Sequence, residues 1–186
     1  MDNSEKSLIA RFRERWLEAS GEYIGVKQGC NLAADLIDFL KLNELNRVVV
    51  GGSPLTPELG EALAVVVEVL ADFGRDKYEH KEVRDVCAKA RAGITGADAL
   101  IAETGTLVIA SRGRGDRILS ALPPVHLVIA HEIPVFRDLE GFMKHAPESL
   151  SLTLITGPSR TADIEKKLVL GAHGPKRVVI WGPEPV

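Results

Sequence analysis

Short β-prone runs alternate along this chain with segments whose apolar residues recur at helical spacing, and that alternation restricts the fold more than any other feature. Leu8, Ile9, Phe12, Trp16 and Leu17 share one face of a predicted helix over Ser4 to Ala19, closed by Ser20 and Gly21. Glu22 to Val26 follows as a short strand. Asn31 then caps a helix that turns Leu32, Leu36, Phe39 and Leu40 inward. Arg47 to Val50 predicts a buried parallel strand, Pro57 suits the first turn of a helix over Thr56 to Phe73, and Val83, Cys87 and Ala90 mark a further helix ending near Gly93. Ala99 to Ala102 and Leu107 to Ala110 predict neighbouring strands about a tight turn at Thr104 and Gly105. Beyond them come strand Val125 to Ala130, a helix lined by Phe136, Leu139, Phe142 and Met143, and strand Leu152 to Thr156. A helix over Thr161 to Leu170 and a strand over Arg177 to Trp181 complete the order. This alternation predicts an α/β fold with a mainly parallel sheet covered on both faces.

A chain of 186 residues with 45% apolar side chains buries about 70% of its unfolded surface, so one domain over 1–186 is expected without disulfides or structural metal. Its 23 basic and 26 acidic residues leave a net charge of −3, with no Lys/Arg block. Nucleic acid and anionic membrane surfaces are thereby excluded as main partners, because both need a concentrated positive field. Cys30 and Cys87 form no CxxC, and two thiols fall short of the four that an iron–sulfur cluster normally takes. We therefore expect no cluster in this chain, no bound metal and no tightly held cofactor. With no disulfide framework and no apolar leader in Met1 to Trp16, the expected compartment is the cytoplasm. Ala62 to Ala71 is interrupted by Glu68 and is too short for a bilayer span, so no membrane insertion is expected.

The strongest local signal is Thr156-Gly157-Pro158-Ser159-Arg160-Thr161, which predicts a strand end passing through a Gly-Pro turn into a helix. Backbone N–H groups, hydroxyls and a guanidinium would converge there on an anion. A helix terminus contributes only about 0.3–1 kcal/mol, so Arg160 and further contacts must supply most of the affinity. Ordinary helix capping by Ser159 or Thr161 is the other use of the same residues. A second candidate is Glu103-Thr104-Gly105-Thr106, where a carboxylate at a strand end can act as nucleophile or base, or be a solvated turn residue. His173 and Gly174 follow the predicted helix stop and can reach a pocket or satisfy their own loop. His126 and His131 differ in strand parity and make a poor metal pair. Gly113-Arg114-Gly115 imitates a dinucleotide fingerprint, but Ile118 stands where the last glycine belongs. Arg112, Arg114 and Arg117 are read instead as a mobile basic loop able to hold an acidic group.

Five motifs occur in order: Gly93 to Ala99, Ile101 to Val108, Leu122 to His126, Ile155 to Glu165 and Leu170 to Pro175. Together they resemble the LUD domain of the LutC/YkgG lactate-utilization proteins over roughly residues 5 to 182. The resemblance implies a three-layer α/β/α sandwich like that of the NagB/RpiA/CoA-transferase group. It also implies a role beside iron–sulfur partner proteins in oxidising L-lactate to pyruvate, with a small anionic metabolite or a partner bound by this chain. The two lone cysteines fit that division of labour. By analogy with CoA transferases of this fold, Glu103 is the candidate catalytic group of the alternative, a free-standing CoA-transferase-like or sugar-phosphate-isomerase-like enzyme.

Overall fold

A computed structural model describes residues 3–27, 29–51, 57–75, 78–111, 115–146, 151–162, 168–170 and 174–184. The first half contains α1 (Asn3–Glu18), β1 (Glu22–Val26), α2 (Leu32–Leu42), β2 (Arg47–Val50), α3 (Pro57–Val66), β3 (Glu68–Asp72), α4 (His80–Lys89) and β4 (Ala92–Gly96). After these come β5 (Ala99–Ile101), β6 (Thr106–Ser111), α5 (Gly115–Leu119), β7 (Val125–Ile129), β8 (Val135–Phe136) and α6 (Leu139–Met143). The chain continues through β9 (Ser151–Ile155), β10 (Arg160–Ala162), β11 (Leu168–Leu170) and β12 (Arg177–Pro183).

Six strands form one parallel sheet in the order β1-β12-β7-β4-β2-β3. Parallel strands buried on both faces need cover on both sides, and the side chains supply it. Leu36 and Leu40 of α2, with Leu59 and Leu63 of α3, pack on Val48, Val50, Ile94, Leu127 and Trp181. On the opposite face Phe12 and Trp16 of α1 meet Val128, Val178 and Ile180, while Val83 and Cys87 of α4 and Leu119 of α5 cover Val49 and Ala71. The result is the three-layer α/β/α sandwich. A smaller sheet, β8-β5-β6-β9, joins the second helical layer, and α6 caps its outer face through Phe142 against Ile101 and Val108.

The local signals hold at many places: Asn31 caps α2 by accepting from the Ala34 N–H, and the β5–β6 hairpin turns at Thr104 and Gly105. Four expectations need correction. The helix predicted from Thr56 ends at Val66, since Glu68 to Asp72 find ladder partners beside β2; Thr56 lies outside the described residues. Gly93 falls inside β4, a central strand whose small residues hide its β character. Phe136 belongs to β8 and packs edge-on to Phe142 of α6. The helix predicted over Thr161 to Leu170 is replaced at its described ends by β10 and β11, which pair antiparallel from Arg160↔Leu170 to Ala162↔Leu168. Leu168-Val169-Leu170 suits a strand, and cross-strand bonds there take the place of i→i−4 bonds.

Candidate functional site

Two glycine turns lie side by side against the carboxyl end of α1. Gly105 has φ +63, and a Cβ placed on it would stand 2.6 Å from the backbone N of Trp16. Gly157 has φ +85, and its Cβ would stand 2.5 Å from the Ala19 carbonyl oxygen. Both sites demand a left-handed backbone and a bare α-carbon. Three hydroxyls join the turns, Thr104 Oγ1 to Thr106 Oγ1 at 2.7 Å and Thr106 Oγ1 to Thr156 Oγ1 at 2.8 Å.

An open cleft of about 510 Å³ runs beside them, within the size range of small-ligand sites. Its walls are β9 along its whole length, the end of α5 with Arg117 and Ser120, the Thr156–Gly157 turn with Ser159, and Gly174-Pro175. Arg117 is the one charged residue among the described residues that line it. The Ser159 N–H donates to the Pro175 carbonyl at 3.1 Å, and the Lys176 N–H to the Pro124 carbonyl at 2.9 Å, so the cleft lies near the amino-terminal ends of β7 and β12. Its strand β9 belongs to the smaller sheet, not to the parallel sheet whose carboxyl rim would have been the usual ligand position.

The structure thus gathers Thr156, Gly157, Ser159 and Gly174 at one cleft, with Pro158 buried in the turn and Thr104 and Thr106 behind them. Glu103 is exposed, does not line the cleft, and donates its N–H to the Arg137 carbonyl at 2.9 Å. Arg160 and Thr161 begin β10 rather than the helix expected there. His173, Arg112 and Arg114 lie outside the described residues. Arg117 does not sit in a loop; it is on α5. The lining role of Ser120 and of Ser151 to Ile155 had no sequence signal beyond strand alternation, because which strand forms a sheet edge is decided by pairing.

Several other polar groups do not line the cleft. His126 is wholly buried, its Nε2 lies 2.9 Å from Thr95 Oγ1, and burial lowers its pKa to about 3, so the ring is neutral. Burial also pushes the Cys87 thiol up to about 11, leaving it protonated. Arg177 forms a bidentate pair with Glu22 at 2.7 and 2.8 Å and reaches Asn43 Oδ1 at 3.0 Å, which ties β12, β1 and the end of α2 together. Among the described residues no group of three or more His, Cys, Asp or Glu is placed to hold a metal ion, and no helix is long and apolar enough to cross a membrane.

Fold and cleft together define an α/β sandwich protein with a small polar cleft on its subsidiary sheet. Residues 10–181 match the LUD domain, and the chain belongs to that family. It is similar to lactate utilization protein C of Macrococcus caseolyticus, 37% identical over 135 residues, which covers 62% of this chain and 58% of that protein. Lactate utilization protein C of Deinococcus radiodurans is 29% identical over 184 residues, covering 95% of this chain and 80% of that one. An uncharacterized Neisseria meningitidis protein is 38% identical over 96 residues, with 48% and 40% covered. The chain spans about half the length of most curated relatives it matches. A crystal structure of a DUF162 family protein from Deinococcus radiodurans superposes with a TM-score of 0.68 at 22% identity, covering 98% of this chain and 100% of that one, and supports the fold.

Proposed function

We propose that this chain, read as one LUD domain over 1–186, is a component of an L-lactate utilization system, and that it binds a small carboxylate in the β9 cleft. Iron–sulfur partner proteins carry the electrons as lactate is oxidised to pyruvate in the cytoplasm, and this chain holds no cluster of its own. Kinship with proteins named for lactate utilization supports the pathway. The observation that carries the ligand class is a cleft whose described lining residues hold one guanidinium, several hydroxyls and no carboxylate. A charge-assisted bond from Arg117 contributes about 1.5–3 kcal/mol and each hydroxyl about 1, against roughly 8 for micromolar binding, so affinity should be weak, near millimolar. Glu103, outside the lining, has no part in this reading.

A thermal-shift panel of lactate, pyruvate, inorganic phosphate, sugar phosphates and CoA esters tests it. Lactate or pyruvate should raise Tm at concentrations of tens of millimolar, and Arg117→Ala should shrink that rise by about half or more at the same concentration. A panel in which neither carboxylate acts would end the ligand assignment. Native protein that recovers no iron–sulfur polypeptide, together with unchanged growth on lactate after deletion, would end the pathway assignment.

A further inference from the structure

We infer that the outer edge of β9 takes up an extended acidic segment of a partner protein as an added strand, alongside Arg117. The inference rests on the reading above, that this cleft receives an anionic group, and names a macromolecular form of it. Among the described residues β9 stands last in the order β8-β5-β6-β9 and has β6 on one side. Which of its backbone groups face outward follows from its neighbours. The Asp98 N–H donates to the Val108 carbonyl at 2.8 Å, and the Ala110 N–H to the Asp98 carboxylate at 2.7 Å. In an antiparallel strand a residue's N–H and C=O point to the same side, and the side alternates along the chain. Val108 and Ala110 therefore address β5, while Leu107, Ile109 and Ser111 address β9, where their register partners are Ile155, Thr153 and Ser151. Leu152 and Leu154 are left with both backbone groups turned away from β6.

That outward side is the cleft. All five β9 residues line it, and at about 3.3 Å per residue they make a groove roughly 17 Å long. A single carboxylate fills one end of such a groove, whereas an added strand uses its length and its four outward backbone groups. Arg117, with no Asp or Glu among the described lining residues, selects an acidic segment over a basic one. Leu154 is 47% exposed and offers an apolar cross-strand contact.

Amide hydrogen exchange by NMR on the whole chain tests this, with a synthetic acetylated hexapeptide of alternating Thr and Val carrying one central Asp, and its Lys counterpart, as probes. In the free protein the Leu152 and Leu154 amides should exchange at least tenfold faster than that of Thr153. Millimolar Asp peptide should slow both at least tenfold, and the Lys peptide less than threefold. Arg117→Glu should reverse that preference. Leu154→Pro, which removes an outward donor and no bond to β6, should weaken the Asp peptide at least tenfold while Thr153 stays protected, the sign that the sheet survives. Slow exchange of Leu152 and Leu154 in the free protein overturns the inference; if that slowing grows with protein concentration, the occupant is a second copy. Equal response to the two peptides also overturns it. A Tm rise with lactate without peptide protection sinks strand addition alone, and peptide protection without any carboxylate response sinks the small-ligand reading alone.

Discussion

β7, in the middle of the six-stranded sheet, has all five of its residues buried, whereas β9, at the edge of the smaller sheet, has none. The first is covered on both faces by helices and the second sheet, so its sequence is a continuous apolar run broken only by His126. The second carries Ser and Thr between its leucines and borders the cleft. The difference separates what holds the molecule together from what it offers to others. A strand satisfied on both edges and both faces has no group left for a ligand, while an edge strand keeps backbone and hydroxyl groups free for one.

The sharpest way to break this contrast is Trp181→Ala in the parallel sheet. Trp181 is wholly buried and meets Phe39 edge-on, so its truncation should cost about 3–5 kcal/mol in urea unfolding. A loss under 1 kcal/mol would mean that the central core is far more plastic than its packing indicates. Next comes Gly105→Ala, where a positive φ and the backbone of α1 leave no room for a methyl group; about 2–4 kcal/mol should be lost, although the position lies near the cleft. The support of the cleft would then be as demanding as the core, with only its lining free.

A pH experiment addresses His126. Its folded pKa of about 3 lies below the ordinary 6.5, so the unfolded chain takes up a proton that the folded chain refuses between those values. Stability is therefore full above about pH 6.5 and falls as pH drops toward 3, by about 2 kcal/mol between pH 7 and pH 5. His126→Leu should flatten that part of the profile, and an unchanged slope would show that other groups produce it. The smallest effect on stability belongs to Arg117→Ala, within about 0.5 kcal/mol because the side chain is exposed. Its carboxylate affinity should nonetheless fall roughly tenfold, about 1.4 kcal/mol, by calorimetric titration.

Strong local patterns made much of the fold legible. α1, β1, α2, β2, the β5–β6 hairpin, β7 and β12 follow from apolar spacing, an Asn cap and a Gly turn. β4 was hidden because Gly93, Thr95 and Gly96 have little side-chain bulk, yet that lack is what its position requires. A Cβ at Gly93 would stand 2.7 Å from Leu119 Cδ2, so α5 packs directly on the strand backbone. The segment from Arg160 to Leu170 read as helical because apolar spacing over a short stretch fits either period. At the candidate site Thr156, Gly157, Ser159 and Gly174 were recognisable from turn chemistry, whereas Ser120 and the five residues of β9 became wall residues only through strand order.

By itself the sequence determined the fold class, the family and the two glycine turns, because periodicity, small-residue motifs and positive-φ positions act through near neighbours along the chain. Only the tertiary structure decided that the Gly157 turn sits by the amino ends of the parallel strands, that Arg117 and not Glu103 faces the cleft, and that β9 has an outer edge. Those outcomes depend on which strand pairs with which across tens of residues. Hydrogen-bond ladders and packing of the whole assembly settle that choice, and no local stretch encodes it.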